Sequence, residues 1–505
     1  MLEGLTVGLG YMLAHPLTFL FVFGGMVWGV VFGSMPGLTG IIGVALLIPF
    51  TYSIGVIESL LMLGSVYVGA TFGGCITAIL FNTPGSPEAA CTSLDGYPLA
   101  KKGEGGKALG YALASSAIGG LIGCVVLMLL TPPLARLALG FGPAEYFALA
   151  MLGITAISSL GSNSVLKALL SGVLGLAIAT VGIDPLTGGS RFTFGNDILL
   201  SGIDFVPVII GMFAISEVLT RFSERVGDKK SLPPAPQVST PKISWTDLLL
   251  VKATMIRSSI IGILIGILPG VGATTASFIS YSEAVRWSRT PEKFGKGAYE
   301  GVVAPETANS ASVGTSLVPL LALGIPGSAT TAVMIGGLTI HGVVPGPNLL
   351  TQNQELVYAI FIGMILSNIV MITVGLKAIK YMTKILYAPY AIIGPSIVVL
   401  CMTGVFALRN NSMDIVTMLI FGGVGFLMRK LQYPIAPMII GLVLGPIAEV
   451  SLRRALLMNG YDWGALFTRP ISGLILYVCI ASLLYGFYGQ YKKFKQSRLQ
   501  LKTAN

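Results

Sequence analysis

The chain has 505 residues, 54% of them hydrophobic and 10% charged, with 31 Lys and Arg against 21 Asp and Glu for a formal net charge of +10. A soluble domain carries about 25% charged residues, so a surface wholly in water is excluded, and a mean hydropathy of +0.83 fits a polytopic membrane protein. The basic excess reads as positively charged cytoplasmic loops; no soluble module carries the clustered basic residues that nucleic acid would need.

At roughly 20 apolar residues per span, the length accommodates on the order of 10–12 helices. Runs such as "LIGCVVLMLL" (121–130) and "LLSGVLGLAIATVGI" (169–183) do not alternate polar and apolar residues, so the spans are predicted to be helices rather than barrel strands. The fold class expected is an all-α polytopic membrane protein.

In chain order, the N-terminal "MLEGLTVGLGYMLAHP" lacks a basic n-region, so the first apolar run is expected to remain as a helix. With no Lys or Arg, this stub is expected in the periplasm. The long apolar stretch over 17–50 is interrupted by "GSMPGLTG" at 33–40, and a second interruption, "FNTPGSPEA", follows at 81–89. The stretch 86–110, with Glu88, Asp95, Lys101, Lys102, Glu104 and Lys107, is too charged for hydrocarbon and reads as loop and helix cap. Asp184, before Pro185, reads as a loop residue at a span end. The charged, proline-rich "RFSERVGDKKSLPPAPQVSTPKISWTD" (221–247) has the composition of an extended hydrophilic connector, placed in the cytoplasm by its Lys and Arg.

Beyond the connector the pattern recurs. "GILPGVGA" (266–273) echoes "GSMPGLTG", and "LGIPGSATT" (323–331) echoes "FNTPGSPEA", in the same order and at nearly the same spacing. A weaker echo links "NSVLKALLSGVLG" (163–175) with "NSMDIVTMLIFGGVG" (411–425). The expected organisation is a membrane repeat over 1–220, a cytoplasmic linker over 221–250, a second membrane repeat over 251–468, and a final helix with a basic cytoplasmic tail over 469–505. Span parity permits the repeats to be inverted, as in many transporters.

A helix broken in hydrocarbon leaves amides and carbonyls that cost several kcal/mol each when unpaired, so the breaks must face protein or a wet cavity. Proline at the start of a second half-helix loses no needed N–H, glycine admits close approach to a ligand, and the exposed helix N-terminus attracts anions, at ~0.3–1 kcal/mol per end. The candidate substrate-binding residues are therefore Pro36, Gly37, Thr39 and Gly40; Asn82, Thr83, Pro84, Gly85 and Ser86; Pro269, Gly270, Gly272 and Thr274; and Pro326, Gly327, Ser328, Thr330 and Thr331, with Thr275 a further hydroxyl donor. Glu306 and Asn309, one turn apart, are candidates for coupling to a cation. Otherwise Glu306 is a carboxylate at a helix start, and His341 is expected at the membrane interface. The five cysteines are scattered, with no CxxC pair, and read as small buried hydrophobes. There is no GxxxxGK[ST], HExxH or GxSxG, so P-loop ATP hydrolysis, zinc hydrolysis and serine hydrolysis lack support. No metal, cofactor or enzymatic activity is expected.

The stretches "GSMPGLTG", "FNTPGSPEAACTSLDGYPLAKKGEGGKALG", "GILPGVGATTASFISY" and "PEKFGKGAYEGVVAPETANSASVGTSLVPLLALGIPGSATTAVMIGGLTIHGVVPGP" resemble the large membrane subunit of the tripartite tricarboxylate transporter family. The resemblance runs over roughly residues 20–450. It implies a secondary, ion-gradient-driven importer in a bacterial inner membrane, coupled to Na+ or H+. It also implies two partners, a small membrane subunit and a periplasmic solute-binding protein that delivers the carboxylate. Substrates of the family range over citrate, other tri- and dicarboxylates and some aromatic carboxylates. Where the family often has an aspartate or a small residue, this chain has Ser-Pro-Glu at 86–88, which leaves the acid unspecified. The competing reading is a membrane channel or assembly protein without coupled transport.

Overall fold

A computed structural model describes residues 2–160, 164–225, 243–385 and 390–504. Among the described residues the regular structure is helical apart from a two-stranded antiparallel hairpin, β1 (Gly182–Ile183) with β2 (Ser190–Arg191). Ten helices among the described residues are long and apolar enough to cross a membrane, in keeping with the count expected from length.

The first half comprises α1 (Leu2–Ala14), α2 (Leu17–Ser34), α3 (Gly40–Thr51), α4 (Val56–Phe81), α5 (Ala90–Lys101), α6 (Gly105–Ala138), α7 (Pro143–Leu160), α8 (Val165–Ala179), α9 (Phe205–Ile210) and α10 (Ser216–Arg225). A π turn over Gly211–Ile215 joins the last two into one span. The second half comprises α11 (Trp245–Ile267), α12 (Gly272–Trp287), α13 (Glu300–Thr315), α14 (Leu317–Leu323), α15 (Ala329–Ile340), α16 (Leu349–Gln352), α17 (Gln354–Ile385), α18 (Tyr390–Arg409), α19 (Ser412–Lys430) and α20 (Ile435–Met458). Short α21 (Gly464–Thr468) and α22 (Pro470–Ala504) close the chain, so the expected basic tail continues the last helix.

Most of the expected connector, residues 226–242, lies outside the described residues. Its flanks are helical: α10 runs to Arg225, and α11 starts at Trp245 behind a capping box in which Ser244 Oγ accepts from Asp247 N–H (3.3 Å) and Asp247 Oδ2 accepts from Ser244 N–H (3.1 Å). This pairing satisfies two amides that a helix start leaves open.

The long helices meet through glycine. On α2, Gly25, Gly29 and Gly33 recur every fourth residue, and a Cβ on any of them would collide with a backbone carbonyl of α4, those of Met62, Val66 and Ala70 in turn. In the second half Gly262 and Gly266 of α11 rest in the same way on α13, against the Ala308 carbonyl and Ser312 and Thr315. Small residues at this spacing let helix backbones touch, which is how membrane helices gain van der Waals contact without a hydrophobic driving force. The central elements are α4 and α13: α4 is buried at every residue but Val56 and Met62, and α13 at every residue from Gly301 on.

Two groups of helix ends are held together by polar contacts. One holds the α6 start, the α11 start and the loop after α12, tied by Lys107–Asp247 (3.2 Å), Lys102 Nζ to the Lys296 carbonyl (2.7 Å) and Tyr299 OH to Glu104 (2.6 Å). The other brings Tyr52, Phe205, Ile340 and Arg409 around one groove, where Arg409 pairs with Asp204 at 2.9 Å. Nearby in sequence, the loop carrying the β-hairpin is held to α20 by Arg453 on Asp184 (2.8 Å) and by an Arg191–Glu449 pair. Asp184 is thus a loop residue, as its sequence context suggests. All five cysteines are buried and unpaired.

Candidate functional site

The Pro-Gly interruptions turn the chain back on itself instead of merely kinking a helix. In the first, Met35-Pro36-Gly37-Leu38 closes with Leu38 N–H on the Met35 carbonyl (2.9 Å), and Gly37 has φ +87°. In the third, Leu268-Pro269-Gly270-Val271 closes in the same way at 3.5 Å, with Gly270 at φ +78°. Proline second and a left-handed glycine third make a type II turn. The prolines therefore sit in the tips, ahead of the helix, and not at its first position. After each tip the chain folds back. Trp28 Nε1 on α2 donates to the Gly43 carbonyl of α3 (3.1 Å), and Ser280 on α12 donates to Ser258 on α11 (2.8 Å).

The other two interruptions follow a left-handed cap, Asn82 (φ 53°) after α4 and Gly324 (φ 75°) after α14. Their glycines serve a different purpose. Gly85 and Gly327 do not have positive φ; a Cβ on Gly85 would collide with the Gly33 carbonyl, and one on Gly327 with the Ser316 carbonyl. Gly85 N–H also donates to the Gly74 carbonyl (3.3 Å), and Gly270 N–H to the Gly327 carbonyl (3.0 Å). In each half the two tips are thus packed backbone on backbone.

All four tips border one cleft of about 600 Å3, a size typical of small-molecule sites. Thr39, Gly40 and Ile41 line it from the start of α3, Gly272–Thr275 from the start of α12, Ser328–Thr330 from the start of α15, and Pro87 and Glu88 from the 3-10 turn before α5. Tyr67 and Thr71 of α4 supply one wall, and Phe278, Ile279 and Ala436 an apolar side. The first amides of an α-helix have no intrahelical acceptor, so three helix starts of at least 12 residues each direct N–H groups and partial positive charge at the cleft. The combination suits an anion with several oxygens.

Of the residues singled out from sequence, Thr39, Gly40, Gly270, Gly272, Thr274, Ser328 and Thr330 line the cleft, as does Thr275. The remaining tip residues stand behind it. Pro36, Gly37 and Pro269 form the turns, and the Arg221 guanidinium packs against Gly37. Asn82, Thr83, Pro84, Gly85 and Ser86 form the second tip; Thr83 Oγ1 donates to the Phe81 carbonyl (3.1 Å), and Ser86 is buried against Gly74. Pro326 and Gly327 pack in the fourth tip. Thr331 is fully buried, completing a capping box with Ser328. Ser328 Oγ in turn lies 3.1 Å from Tyr67 OH, a hydrogen bond between the two halves of the chain at the edge of the cleft.

Glu306 and Asn309 do not line the cleft. Glu306 is fully buried in α13, and both its oxygens accept hydroxyl hydrogen bonds, from Thr92 (2.5 Å) and Ser116 (3.0 Å). Asn309 Oδ1 accepts from Ser310 (3.0 Å). His341 caps the end of α15, half-buried.

Sequence reasoning missed Tyr67, Thr71 and Glu88. The first two carry a readable signal, polar residues four apart inside an apolar span and therefore on one helix face. Glu88 was hidden among the charges of 86–110.

Two proteins of Agrobacterium vitis are similar to the chain. One, described as an uncharacterized 52.8 kDa protein in the TAR-I ttuC' 3' region, is 38% identical over 473 residues, 93% of each chain. The other, described as an uncharacterized protein in the TAR-II ttuC' 3' region, is 37% identical over 215 residues, 43% of this chain and 89% of its own. No solved structure matches. The profile of one family matches residues 19–440, covering all four tips and the whole lining of the cleft, and the chain belongs to that family, the TctA family of tripartite tricarboxylate transporters.

Proposed function

We propose that this chain is the large membrane subunit of a secondary, ion-gradient-driven importer of tri- or dicarboxylates in a bacterial inner membrane. The observation that carries this reading is the convergence of four Pro-Gly tips on one cleft lined by helix starts and hydroxyls. Carboxylate oxygens take hydrogen bonds from open first-turn amides and from Thr39, Thr274, Ser328 and Thr330, and the helix ends supply charge complementarity without a fixed cation. Such a site releases its anion readily, as transport requires.

Inverted repeats are the organisation this reading favours. It is supported by the sequence of hairpin, buried helix and tip over α2–α4, which has a counterpart over α11–α14. Its further support is that the first hairpin, α2–α3, leads into α4 from the end marked by Tyr52, whereas α11–α12 belongs to the end marked by Lys107 and Asp247. We place the second of these ends in the cytoplasm, with the basic connector and tail. A small membrane subunit and a periplasmic binding protein complete the transporter, and Na+ or H+ supplies the gradient.

The test is uptake into proteoliposomes holding the three subunits, with the carboxylate and the imposed gradients varied. Accumulation above equilibrium that needs an ion gradient and the binding protein is expected. Flux that only follows the carboxylate gradient, with no dependence on either, would make the chain a channel.

A further inference from the structure

The cleft is lined by hydroxyls and apolar side chains and, with one exception, carries no charged group. Its polar side chains are the hydroxyls of Tyr67, Thr39, Thr274, Ser328 and Thr330, with those of Thr71 and Thr275 turned onto carbonyls of their own helices (2.9 and 3.2 Å); the exception is Glu88. Glu88 sits in the 3-10 turn Pro87–Ala89, half-buried, and no Lys, Arg or His lies within ion-pair distance of it among the described residues.

Among the described residues, no element packed on that turn brings a compensating cation. From α4 come Tyr67, on the cleft wall, and the buried thiol of Cys75. From α13 comes Glu306, another carboxylate, held by two hydroxyls. From α5 come Cys91 and Asp95; Asp95 accepts from Tyr281 OH of α12 (2.8 Å) and from the amides of Gly297 and Ala298 (2.9 and 2.8 Å). None of these is a cation.

A carboxylate substrate in this cleft would therefore meet a like charge in a partly dehydrated space, where repulsion is far less screened than in water. Resting on the reading of the cleft as a carboxylate site, we infer that Glu88 takes up one monovalent cation, a proton or a sodium ion, each time a carboxylate binds, making the substrate cleft the coupling site as well. In the proton case Glu88 binds one proton from the outer solution as the substrate anion enters and gives it up to the inner solution as the anion leaves. In the sodium case the ion makes the same journey beside an unprotonated carboxylate. Either way one positive charge moves with each substrate, and nothing is oxidised or reduced. Glu306 is a poorer carrier: its oxygens are occupied and it does not reach the cleft.

The experiment is carboxylate binding to the purified full-length chain, followed by thermal stabilisation with citrate, malate and succinate between pH 5.5 and 8.5, in sodium or choline chloride. In the wild type, one-proton linkage weakens binding by about tenfold per pH unit on the alkaline side, irrespective of sodium. One-sodium linkage instead gives about tenfold per tenfold change in sodium. Glu88→Gln is expected to bind the same acid with neither dependence, and Glu88→Asp, which keeps the carboxylate and guards against a misfolded glutamine variant, to keep the wild-type dependence. A Glu88→Gln protein that binds with the wild-type pH or sodium dependence overturns the inference and leaves the carboxylate site standing. Failure of every acid to stabilise the wild type overturns the site and the inference together.

Discussion

Thr330 and Thr331 are neighbours in the first turn of α15, yet the structure gives them different work. Thr330 lines the cleft, and its hydroxyl has no protein partner among the described residues. Thr331 is fully buried; its Oγ1 accepts from Ser328 N–H (2.8 Å) and donates to the Ser328 carbonyl (2.9 Å). Valine in place of either keeps the side-chain shape and removes only the hydroxyl. In Thr331→Val the Ser328 amide is left buried without this acceptor, at a cost of ~1–3 kcal/mol, so detergent-purified protein should unfold at lower temperature. On the proposed reading of the cleft as a carboxylate site, the loss in Thr330→Val falls on the bound anion. A hydrogen bond to a charged group contributes ~1.5–3 kcal/mol, equivalent to a roughly 10- to 150-fold weaker apparent affinity, with the melting temperature unchanged. Uptake against carboxylate concentration in proteoliposomes, beside thermal unfolding of the same preparations, checks both. A Thr330→Val transporter with wild-type concentration dependence, or two variants with the same phenotype, would refute the division between ligand and scaffold.

Gly85→Ala should push a methyl into the Gly33 carbonyl and Gly327→Ala one into the Ser316 carbonyl, an overpacking of ~1–3 kcal/mol or more, seen as loss of monodisperse protein on size exclusion; normal yield would show that these contacts can part. The Thr187 hydroxyl and, after it, Arg453 donate to Asp184 and hold its carboxyl below the usual carboxylate range. A folded pKa below the unfolded one stabilises above about pH 4 and is lost as pH falls through the folded value. Asp184→Asn should therefore melt below wild type at pH 7, with the gap closing under strongly acidic conditions; a gap that persists there would assign the loss to packing. A cysteine introduced by Ala235→Cys in the connector should react only from the cytoplasm, and labelling in intact cells by a reagent confined to the periplasm would reverse the orientation.

The helical class was legible because runs of apolar residues without alternation have one solution in a bilayer. The interruptions were legible too, since Pro-Gly pairs carry their own turn chemistry. What could not be read was the reason for each glycine. Gly37 and Gly270 are required by a left-handed backbone, whereas Gly85 and Gly327 are required by a neighbouring carbonyl from another segment, and the four dipeptides look alike. Nor could the sequence separate Thr330 from Thr331 or expose Glu88, because facing a cleft is a property of tertiary packing. Tyr67 shows the same limit: its hydroxyl meets Ser328, 261 residues away in the chain, a separation that local pattern does not span.

The glycine seams have a mechanical corollary. Where α2 lies on α4, and α11 on α13, no side-chain layer separates the backbones, so neither pair can shear by even one residue without driving a side chain into a carbonyl. Each seam behaves as a weld, and each tip rides on the long helix beside it as part of a solid jaw. The contact closed by Tyr67 and Ser328, by contrast, is made by side chains. Spin labels on α2 and α4 should accordingly keep one separation through the whole transport cycle, while a pair placed across the two jaws should report two; a changing distance within a seam would show the weld to be a hinge.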